Sequence, residues 1–488
     1  MVKNNLAKVE ELNYEDVIND KNNIKWCSVS LLNIIEHGKR LEASVFDIEA
    51  KNAREIINNS KWDKVNLIEG KFLKKAFYPG RFKRIYVDEN NGEPFYLPSQ
   101  INDVNPVPEK YISKLTNCDI EALKVKKGNI LLTRSGTIGN LTIVSDTLNN
   151  KIFSDDVIRV ELNEEYDIGY IYTYLNTEIG KKILQTNQYG SVITHIEPEH
   201  LNEIIIPNAS KSIKIKINNL IKNSFKKRDE SNKLFELAEK MLMEELELPD
   251  IKCLINKTED NTQIFNRKLS EINNRLDVSY HIPIVEEIKN KIAINTREVV
   301  KLKNKNITKK IILAGVFKRV YVGKNEGIPF LGGKEITQLS PCVEKFLSKP
   351  IHYKRYEKEL KIKENMILVT DRGTVGTIAL VPKHFENWAV SQNVLKVEAV
   401  NDSIAGYLYV FLNSEYGKTL VKRETYGSVV DMIDDKNLGN VDIPILKNEE
   451  KQKEINDIAL KANKLRYEAY ELEQEALKIM NKEVIYAK

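Results

Sequence analysis

Three places in this 488-residue chain hold residue types at spacings that could do chemistry. Asp47, Glu49 and Lys51 have the acid, acid, lysine order of a nuclease. In a chain with 30% charged residues such triplets arise by chance, so this one carries little weight. Asp155-Asp156 could hold a metal ion, and His195, ahead of Ile196-Glu197-Pro198, could move a proton. The motifs that would complete an enzyme are missing. There is no Asn/Asp-Pro-Pro-aromatic motif of an amino-methyltransferase, no Gly-rich cofactor loop after a strand and no P-loop. What remains is binding chemistry: arginine, asparagine and glutamine side chains able to pair with base edges, and lysines able to meet phosphate.

The elements that must position those residues come as one unit written twice. Gly80-Arg-Phe-Lys-Arg-Ile-Tyr-Val87 returns as Gly315-Val-Phe-Lys-Arg-Val-Tyr-Val322, an offset of 235. Ile130-Leu-Leu-Thr-Arg-Ser-Gly-Thr-Ile-Gly139 returns as Ile367-Leu-Val-Thr-Asp-Arg-Gly-Thr-Val-Gly376, at 237. Gly169 to Asn176 returns as Gly406 to Asn413, Tyr189-Gly-Ser-Val192 as Tyr426-Gly-Ser-Val429, and Ile204-Ile-Ile-Pro207 as Val441-Asp-Ile-Pro444. The period is far longer than the roughly 20–50 residues of a solenoid, so a whole domain is duplicated. In the second copy Asp155-Asp156 becomes Gln392-Asn393 and His195 becomes Met432. No shared metal site or general base survives that comparison.

Each globular part mixes strands and helices. Phe82 to Val87 alternates in strand fashion, and Ile130 to Thr133 is a short apolar run entering a Gly-punctuated hairpin turn. Ile168 to Leu184 has helical apolar spacing and reads as one helix. Ile204 to Pro207 reads as a strand stopped by proline. The class is α/β or mixed α+β. A long helix follows each copy. Ile455, Ile458, Ala462, Leu465, Ala469, Leu472, Ala476 and Ile479 step by 3 and 4, the heptad seam of a coiled coil. Ile217, Leu220, Ser224, Lys227, Ser231, Leu234, Ala238 and Met241 stand 238 residues earlier. One register position is small throughout, which lets two backbones approach, and Lys227 is a flaw in the seam or a site for a further partner. The expectation is that the two helices pack on each other. Each seam spans roughly 37 Å at about 1.5 Å per residue, close to one turn of B-DNA.

Composition sets outer bounds. The net charge of +5, from 75 basic and 70 acidic side chains, permits a nucleic-acid partner without arguing for one. Cys27, Cys118, Cys253 and Cys342 show no C-x-x-C pair, which argues against a zinc site or a disulfide framework. The polar stretch at 1–21 lacks the apolar core of a signal peptide, and no apolar run approaches 18 residues. A cytoplasmic location with no membrane contact is expected.

These blocks resemble the DNA specificity (S) subunit of type I restriction–modification systems. The resemblance rests on the 130–139 block and its twin at 367–376, on the Tyr-Gly-Ser-Val turns, on the Ile-Ile-Pro and Asp-Ile-Pro strand ends and on the Glu-Glu-Lys-Gln-Lys-Glu-Ile opening at 449–455. Arg40-Leu41-Glu42 and Arg275-Leu276-Asp277 fit the start of each half. The family often has Pro-Pro-Leu-acid-Glu-Gln before the helix. Pro207-Asn-Ala-Ser-Lys-Ser212 departs from that and leaves the start of the first helix open. The resemblance covers roughly residues 24 to 483 and leaves an arm at 1–23 without a counterpart; the expected division is a target-recognition domain at 24–209, a spacer helix at 210–247, a linker at 248–263, a second target-recognition domain at 264–446, a second spacer helix at 447–483 and a tail at 484–488. It implies that the helices pair antiparallel and that the domains read the two halves of a split, asymmetric double-stranded DNA site. It implies a non-catalytic chain without a cofactor of its own. Two modification (M) subunits would carry S-adenosylmethionine and methylate adenine, with restriction (R) subunits as a further, optional partner.

The duplication also sorts the candidate contacts. Phosphates look the same in both half-sites and bases do not. Polar residues common to both copies are therefore scaffold or backbone-positioning groups: Lys83, Arg84, Thr133, Thr137 and Ser191, with Lys318, Arg319, Thr370, Thr374 and Ser428. The Gly-Thr-x-Gly turns at 136–139 and 373–376 either offer backbone N–H groups to a phosphate or are turns the fold needs. Residues that differ are candidate base readers: Arg134, Asn187 and Gln188 for one half-site, and Arg372, Arg423 and Glu424 for the other. The competing readings are a stand-alone nuclease and a coiled-coil adaptor whose domains bind protein.

Overall fold

The computed structural model describes residues 29–36, 41, 46–135, 139–186, 195–202, 204–251, 253–254, 265–272, 275–427 and 429–488. The arm at 1–23 and most of the linker, 255–263, lie outside them. The chain divides into two compact units. The first holds residues 1–102, 106–226 and 471–488, and the second holds 103–105 and 227–470. This division cuts through both long helices rather than placing each helix after its own domain.

The first unit begins with helices α1 (Leu31–Glu36) and α2 (Ile48–Asn58). Its strands are β1 (Lys64–Asn66), β2 (Leu73–Phe77), β3 (Tyr86–Val87), β4 (Gly92–Tyr96) and β5 (Lys110–Ser113). They continue as β6 (Ile130–Thr133), β7 (Leu141–Ile143), β8 (Ile152–Phe153), β9 (Val157–Leu162) and β10 (Ile205–Pro207). These form a β1-β10 pair and two four-stranded sheets, β2-β9-β6-β7 and β3-β5-β4-β8. The helices α3 (Glu165–Asn176), α4 (Glu178–Thr186) and the start of α5 (Lys211–Glu245) complete it. The start of α5, which the departing sequence left open, is therefore Lys211. Central strand β6 is buried along its whole length, which is why Ile130 to Leu132 is an unbroken apolar run.

The second unit repeats this wiring strand for strand. After α6 (Pro283–Ile294) come β11 (Thr296–Lys301), β12 (Thr308–Ile312), β13 (Tyr321–Val322), β14 (Gly327–Leu331) and β15 (Phe346–Ser348). Then follow β16 (Ile367–Thr370), β17 (Ile378–Leu380), β18 (Ala389–Val390), β19 (Val394–Ala399) and β20 (Asp442–Leu446), with α7 (Asp402–Asn413), α8 (Glu415–Arg423) and α9 (Glu449–Ile479). The sheets are β11-β20, β12-β19-β16-β17 and β13-β15-β14-β18. Even the irregularities recur: a bulge lies between Leu73 and Lys75 and again between Thr308 and Lys310. The parallel pairs β4·β8 and β14·β18 correspond as well.

Two local expectations change. The strand read over Phe82 to Val87 is only Tyr86–Val87, because only these two residues find a partner, in Ile112 and Tyr111 of β5. The single helix read over Ile168 to Leu184 is two helices. Thr177 Oγ1 accepts from the Gly180 N–H at 2.9 Å and donates to the Tyr174 carbonyl at 2.6 Å, starting a new helix. Ser414 does the same with Gly417 and Phe411. A Cβ on Gly180 would stand 2.1 Å from the Tyr174 carbonyl oxygen, so the corner requires glycine.

Both long helices contribute to each unit. In the first, Ile217, Ile221 and Phe225 of α5 share a core with Ala476 and Ile479 of α9, and Lys216 pairs with Glu483 at 3.6 Å. In the second, Lys227 pairs with Glu468 at 2.6 Å, and Ala238 and Leu242 share a core with Ile455 and Ala459. Positions rise along α5 as they fall along α9, so the two segments within each unit run antiparallel. Ser224, Ser231, Ala238, Ala462, Ala469 and Ala476 are all fully inaccessible, whereas Leu220, Leu234, Met241, Ile458 and Leu472 are half-buried. Leu465 and Ile479 are buried. Lys227 is not a gap in the seam, since its ammonium has the Glu468 carboxylate. The stretch at 484–488 is packed rather than loose. Val484 and Ile485 are fully buried, Ser60 Oγ donates to the Val484 carbonyl at 2.6 Å, and Trp62 Nε1 donates to the Glu483 carbonyl at 2.8 Å.

Each globular part is fixed to the start of its own long helix by one asparagine. The Asn218 Oδ1 accepts from the Gly169 N–H at 2.9 Å. The Asn456 Oδ1 accepts from the Gly406 N–H at 2.9 Å, and its Nδ2 donates to the Asp402 carbonyl at 3.0 Å. The glycines allow the approach, because a Cβ on Gly169 would lie 2.6 Å from the Asn218 Cα and one on Gly406 2.5 Å from the Asn456 carbonyl oxygen. Asn456→Ala leaves buried donors and acceptors unpaired, which costs about 1–3 kcal/mol. Hydrogen exchange should accelerate in α7 and β20 by roughly 5- to 150-fold with the first unit unchanged. Uniform acceleration over both units, or none, contradicts this role.

Candidate nucleic-acid interface

Two of the candidate readers, Arg134 and Arg372, stand where β6 and β16 end. In the first unit Thr133 is buried and its Oγ1 donates to the Asn140 carbonyl. Arg134 is next, and it points inward. It is only 4% exposed, its guanidinium forks onto the Glu197 carboxylate, and it lies over the Tyr78 ring at 4.3 Å. Arg84 arrives from the turn before β3 and bonds Ser154 Oγ at 3.1 Å and Asp155 at 2.5 Å. Asp156 lies between the two arginines, 3.5 Å from Arg84 and 3.6 Å from Arg134.

In the second unit the same position is occupied in the opposite sense. Asp371, where the first copy has Arg134, is buried, and Arg372 is pushed out to solvent with its guanidinium on Asp371 Oδ2 at 2.9 and 3.1 Å. That contact, aided by its charge, raises the Arg372 pKa, so its charge is secure. Thr370 is buried and accepts from the Thr377 N–H at 3.1 Å, while Thr374 is exposed. Arg319 repeats the position of Arg84 but bonds an amide, Gln392 Oε1, at 2.5 Å. The one-place shift of arginine between the copies therefore exchanges an internal cation for an external one.

Three of the proposed base readers need correcting. Arg134 and Arg423 are buried and paired inside the fold. Arg423 donates to the Tyr280 carbonyl and the Glu286 carboxylate, both at 3.3 Å, and lies over the Tyr280 ring at 4.2 Å. Glu424 is 4% exposed, and burial pushes its carboxyl pKa upward. None of these three presents a polar edge to an outside ligand, so the base-reading role is withdrawn for them. Arg372 retains it. Asn187, Gln188, Thr137, Ser191 and Ser428 lie outside the described residues.

Lys83 and Lys318 are exposed in both copies. Beside them are residues the sequence reading passed over. Tyr86 and Tyr321, on β3 and β13, are exposed at corresponding places, 43% and 40%. Each packs edge-on or tilted against a buried phenylalanine, Phe95 at 6.2 Å and Phe330 at 6.1 Å, over which Arg84 and Arg319 also lie. Lys110 stands 5.7 Å from the Tyr86 ring. The signal is present in the repeated Lys-Arg-x-Tyr-Val block, where the strand-like alternation conceals that the tyrosine is exposed. An exposed cation and an exposed phenol at the same place in both copies suit a ligand feature that is itself the same twice, such as a phosphate.

Behind this surface each unit buries a cation. Arg159 and Lys396 are fully buried on β9 and β19. Arg159 donates to the carbonyls of Ser154, Phe153 and Leu123 at 2.9–3.0 Å, and Lys396 to that of Val394 at 3.1 Å. Burial lowers them to about 10 and about 8, against the pull of Asp155 on the first and of Glu359 and Asp371 on the second. Among the described residues no group of three or more His, Cys, Asp or Glu side chains could hold a metal ion. Nor is any helix long and apolar enough to cross a membrane.

Residues 295–464 match the family model described as the type I restriction modification DNA specificity domain. Among solved structures, the chain is similar to the S subunit of a type I restriction-modification system from M. genitalium, at 15% identity and a TM-score of 0.35, covering 87% of this chain and 96% of that one. It is also similar to the HsdS subunit from Thermoanaerobacter tengcongensis, at 14% identity and a TM-score of 0.26, covering 86% and 96%. No curated protein sequence matches it. The matched stretch, 295–464, holds β11 to β20, Arg319, Arg372 and the first half of α9.

Lys396 makes this domain's stability depend on pH. Its folded pKa, about 8, is below the ordinary lysine value of 10.5. The unfolded chain therefore binds more protons between these values, and stability rises with pH across that window. Below about pH 8 the full penalty applies. Lys396→Met should stabilise the second unit at pH 7 by up to about 3 kcal/mol. The advantage should shrink as the pH rises towards 10, as read by denaturant unfolding of both proteins. A constant difference would mean that buried charge is not the cause.

Proposed function

We propose that this chain is the DNA specificity subunit of a type I restriction–modification complex. Its two specificity domains bind the two halves of a split, asymmetric site on double-stranded DNA. The chain itself is non-catalytic, and it directs two modification subunits that carry S-adenosylmethionine and methylate adenine, with restriction subunits as an optional addition. It acts in the cytoplasm. The observation that carries this reading is a repeated scaffold with unrepeated polar chemistry at one sheet end: the same strand order, with Arg134 turned inward in one copy and Arg372 outward in the other.

On this reading the shared exposed residues fix the protein on the phosphate backbone and the unshared ones read bases. Lys318→Ala should weaken binding on every duplex alike and lower the slope of log affinity against log salt by about 1. Arg372→Ala should relax discrimination at one base pair of one half-site, by about 1–3 kcal/mol, and leave the other half-site as it was. Titrating labelled duplexes that carry single substitutions separates the two. Uniform weakening by Arg372→Ala would make it a phosphate contact. Duplex binding insensitive to salt would favour a protein-binding adaptor instead. Adenine methylation mapped in a host with and without the chain tests the whole reading, because a split methylated site must vanish with the chain.

A further inference from the structure

The loop that carries the shared lysine and arginine is held differently in the two copies. In the second unit the helix Lys349–Arg355 holds it at both ends. Arg355 Nη1 donates to the Gly315 carbonyl at 3.1 Å, and the Val320 N–H donates to His352 Nε2 at 3.1 Å. Between these points the Phe317 ring meets the His352 ring edge-on at 5.3 Å and lies under the Arg355 guanidinium at 5.0 Å. Lys318 and Arg319 stand between Phe317 and Val320, so these contacts decide where the two cations are presented. The Ser348 N–H also donates to the Val320 carbonyl at 2.9 Å, as the Ser113 N–H does to the Ile85 carbonyl at 2.9 Å. That bond is common to both copies, but the histidine is not. At the repeat offset of 235, Asn117 stands for His352 and Ile120 for Arg355. In the first loop Phe82 instead packs on the same apolar cluster as Cys118 and Ile120.

The histidine contact works in one protonation state. Nε2 can accept the Val320 N–H only while it carries no proton, which places the proton of the neutral ring on Nδ1. An imidazolium would set a second donor against the same N–H. Its surroundings oppose that charge. The charges on the elements packed against the ring are Arg355 on its own helix and Lys318 and Arg319 on the loop, and β15 brings none. The carboxylates of the following turn, Glu357 and Glu359, are paired with Lys361 and Arg355. Burial, and then the Arg355 charge, lower the His352 pKa below the ordinary 6.5. The bond is therefore intact at neutral pH and is lost as the pH falls through that lowered value. We propose that His352 is a positioning residue for DNA: its neutral ring holds Lys318 where it meets the phosphate backbone, and acid releases that contact in the second copy alone. This rests on the function proposed above and adds a pH-dependent element to it.

The test is duplex binding by the full-length chain at about pH 7.5 and about pH 5.5, read as log affinity against log salt. His352→Gln supplies a carbonyl oxygen that accepts the same N–H and does not titrate. It should match the wild type at the higher pH. At the lower pH the wild type should bind roughly 2- to 12-fold more weakly than His352→Gln, the worth of one hydrogen bond, with a salt slope lower by about 1. His352→Leu should show the weaker binding at both pH values. Lys318→Ala should abolish the difference between histidine and glutamine at 352, whereas Lys83→Ala should leave it whole. Equal binding by the wild type and His352→Gln in acid would overturn the proposal. So would a difference that survives Lys318→Ala, since His352 would then act on the fold at large. Stronger binding by the wild type than by His352→Gln in acid would overturn it in favour of an imidazolium that itself meets phosphate. A wild-type chain that binds no duplex at either pH would sink the proposed function and this inference with it, so the two failures are distinguishable.

Discussion

The fold depends on how closely each globular part approaches its own long helix. Gly169 and Gly406 bring the helix backbones near enough for Asn218 and Asn456 to reach in, and no side chain larger than hydrogen fits there. Around this point the hydroxyls of Tyr170 and Tyr407 donate to the carbonyls of Pro207 and Pro444, which ties the last strand of each part to the same helix corner. The polar groups matter as much as the space. A buried amide facing a helix N–H fixes one register, whereas apolar packing alone would tolerate sliding.

Once that register is set, the sheets are fixed too, and the ends of β6 and β16 become places where side chains can change without disturbing the frame. The exchange at that end is a matter of charge balance. In the first unit two arginines share Asp155, Asp156 and Glu197, and the cluster closes on itself. In the second an amide replaces the carboxylate under Arg319, and the buried acid has moved into the strand end, where it holds Arg372 from behind. The same backbone thus yields an internally paired cluster in one copy and an outward-facing guanidinium in the other. An arginine whose carboxylate partner is buried behind it keeps its remaining donors for a ligand.

How much of this was legible in the sequence follows from how far apart the deciding residues are. The duplication, the mixed class, the two long helices and the buried run at Ile130 to Leu132 are local patterns and could be read directly. The corner at Thr177 was hidden because apolar spacing continues through it, although Asn-Thr-Glu-Ile-Gly and its echo Asn-Ser-Glu-Tyr-Gly carried the cap. The direction of the arginines was not legible. Arg134 is turned inward by Glu197, 63 residues away, and Arg423 by Glu286, 137 residues away. No local pattern records such a partner. The sorting of shared from unshared residues pointed to the ends of β6 and β16, but it could not say which side chains there face outward.

The placement of residues 471–488 has a consequence for how the molecule is made. Ala476, Ile479, Val484 and Ile485 belong to the core of the first unit, alongside residues from 53 to 225. A ribosome that has finished residue 226 must still add about 260 residues before that core can close. At about 5–20 residues per second this is a delay of roughly 13 to 52 s. The second unit, whose last residue is 470, has all its parts earlier. The half that is translated first is therefore completed last, and during synthesis its unfinished apolar surface is open to chaperones and to other nascent chains.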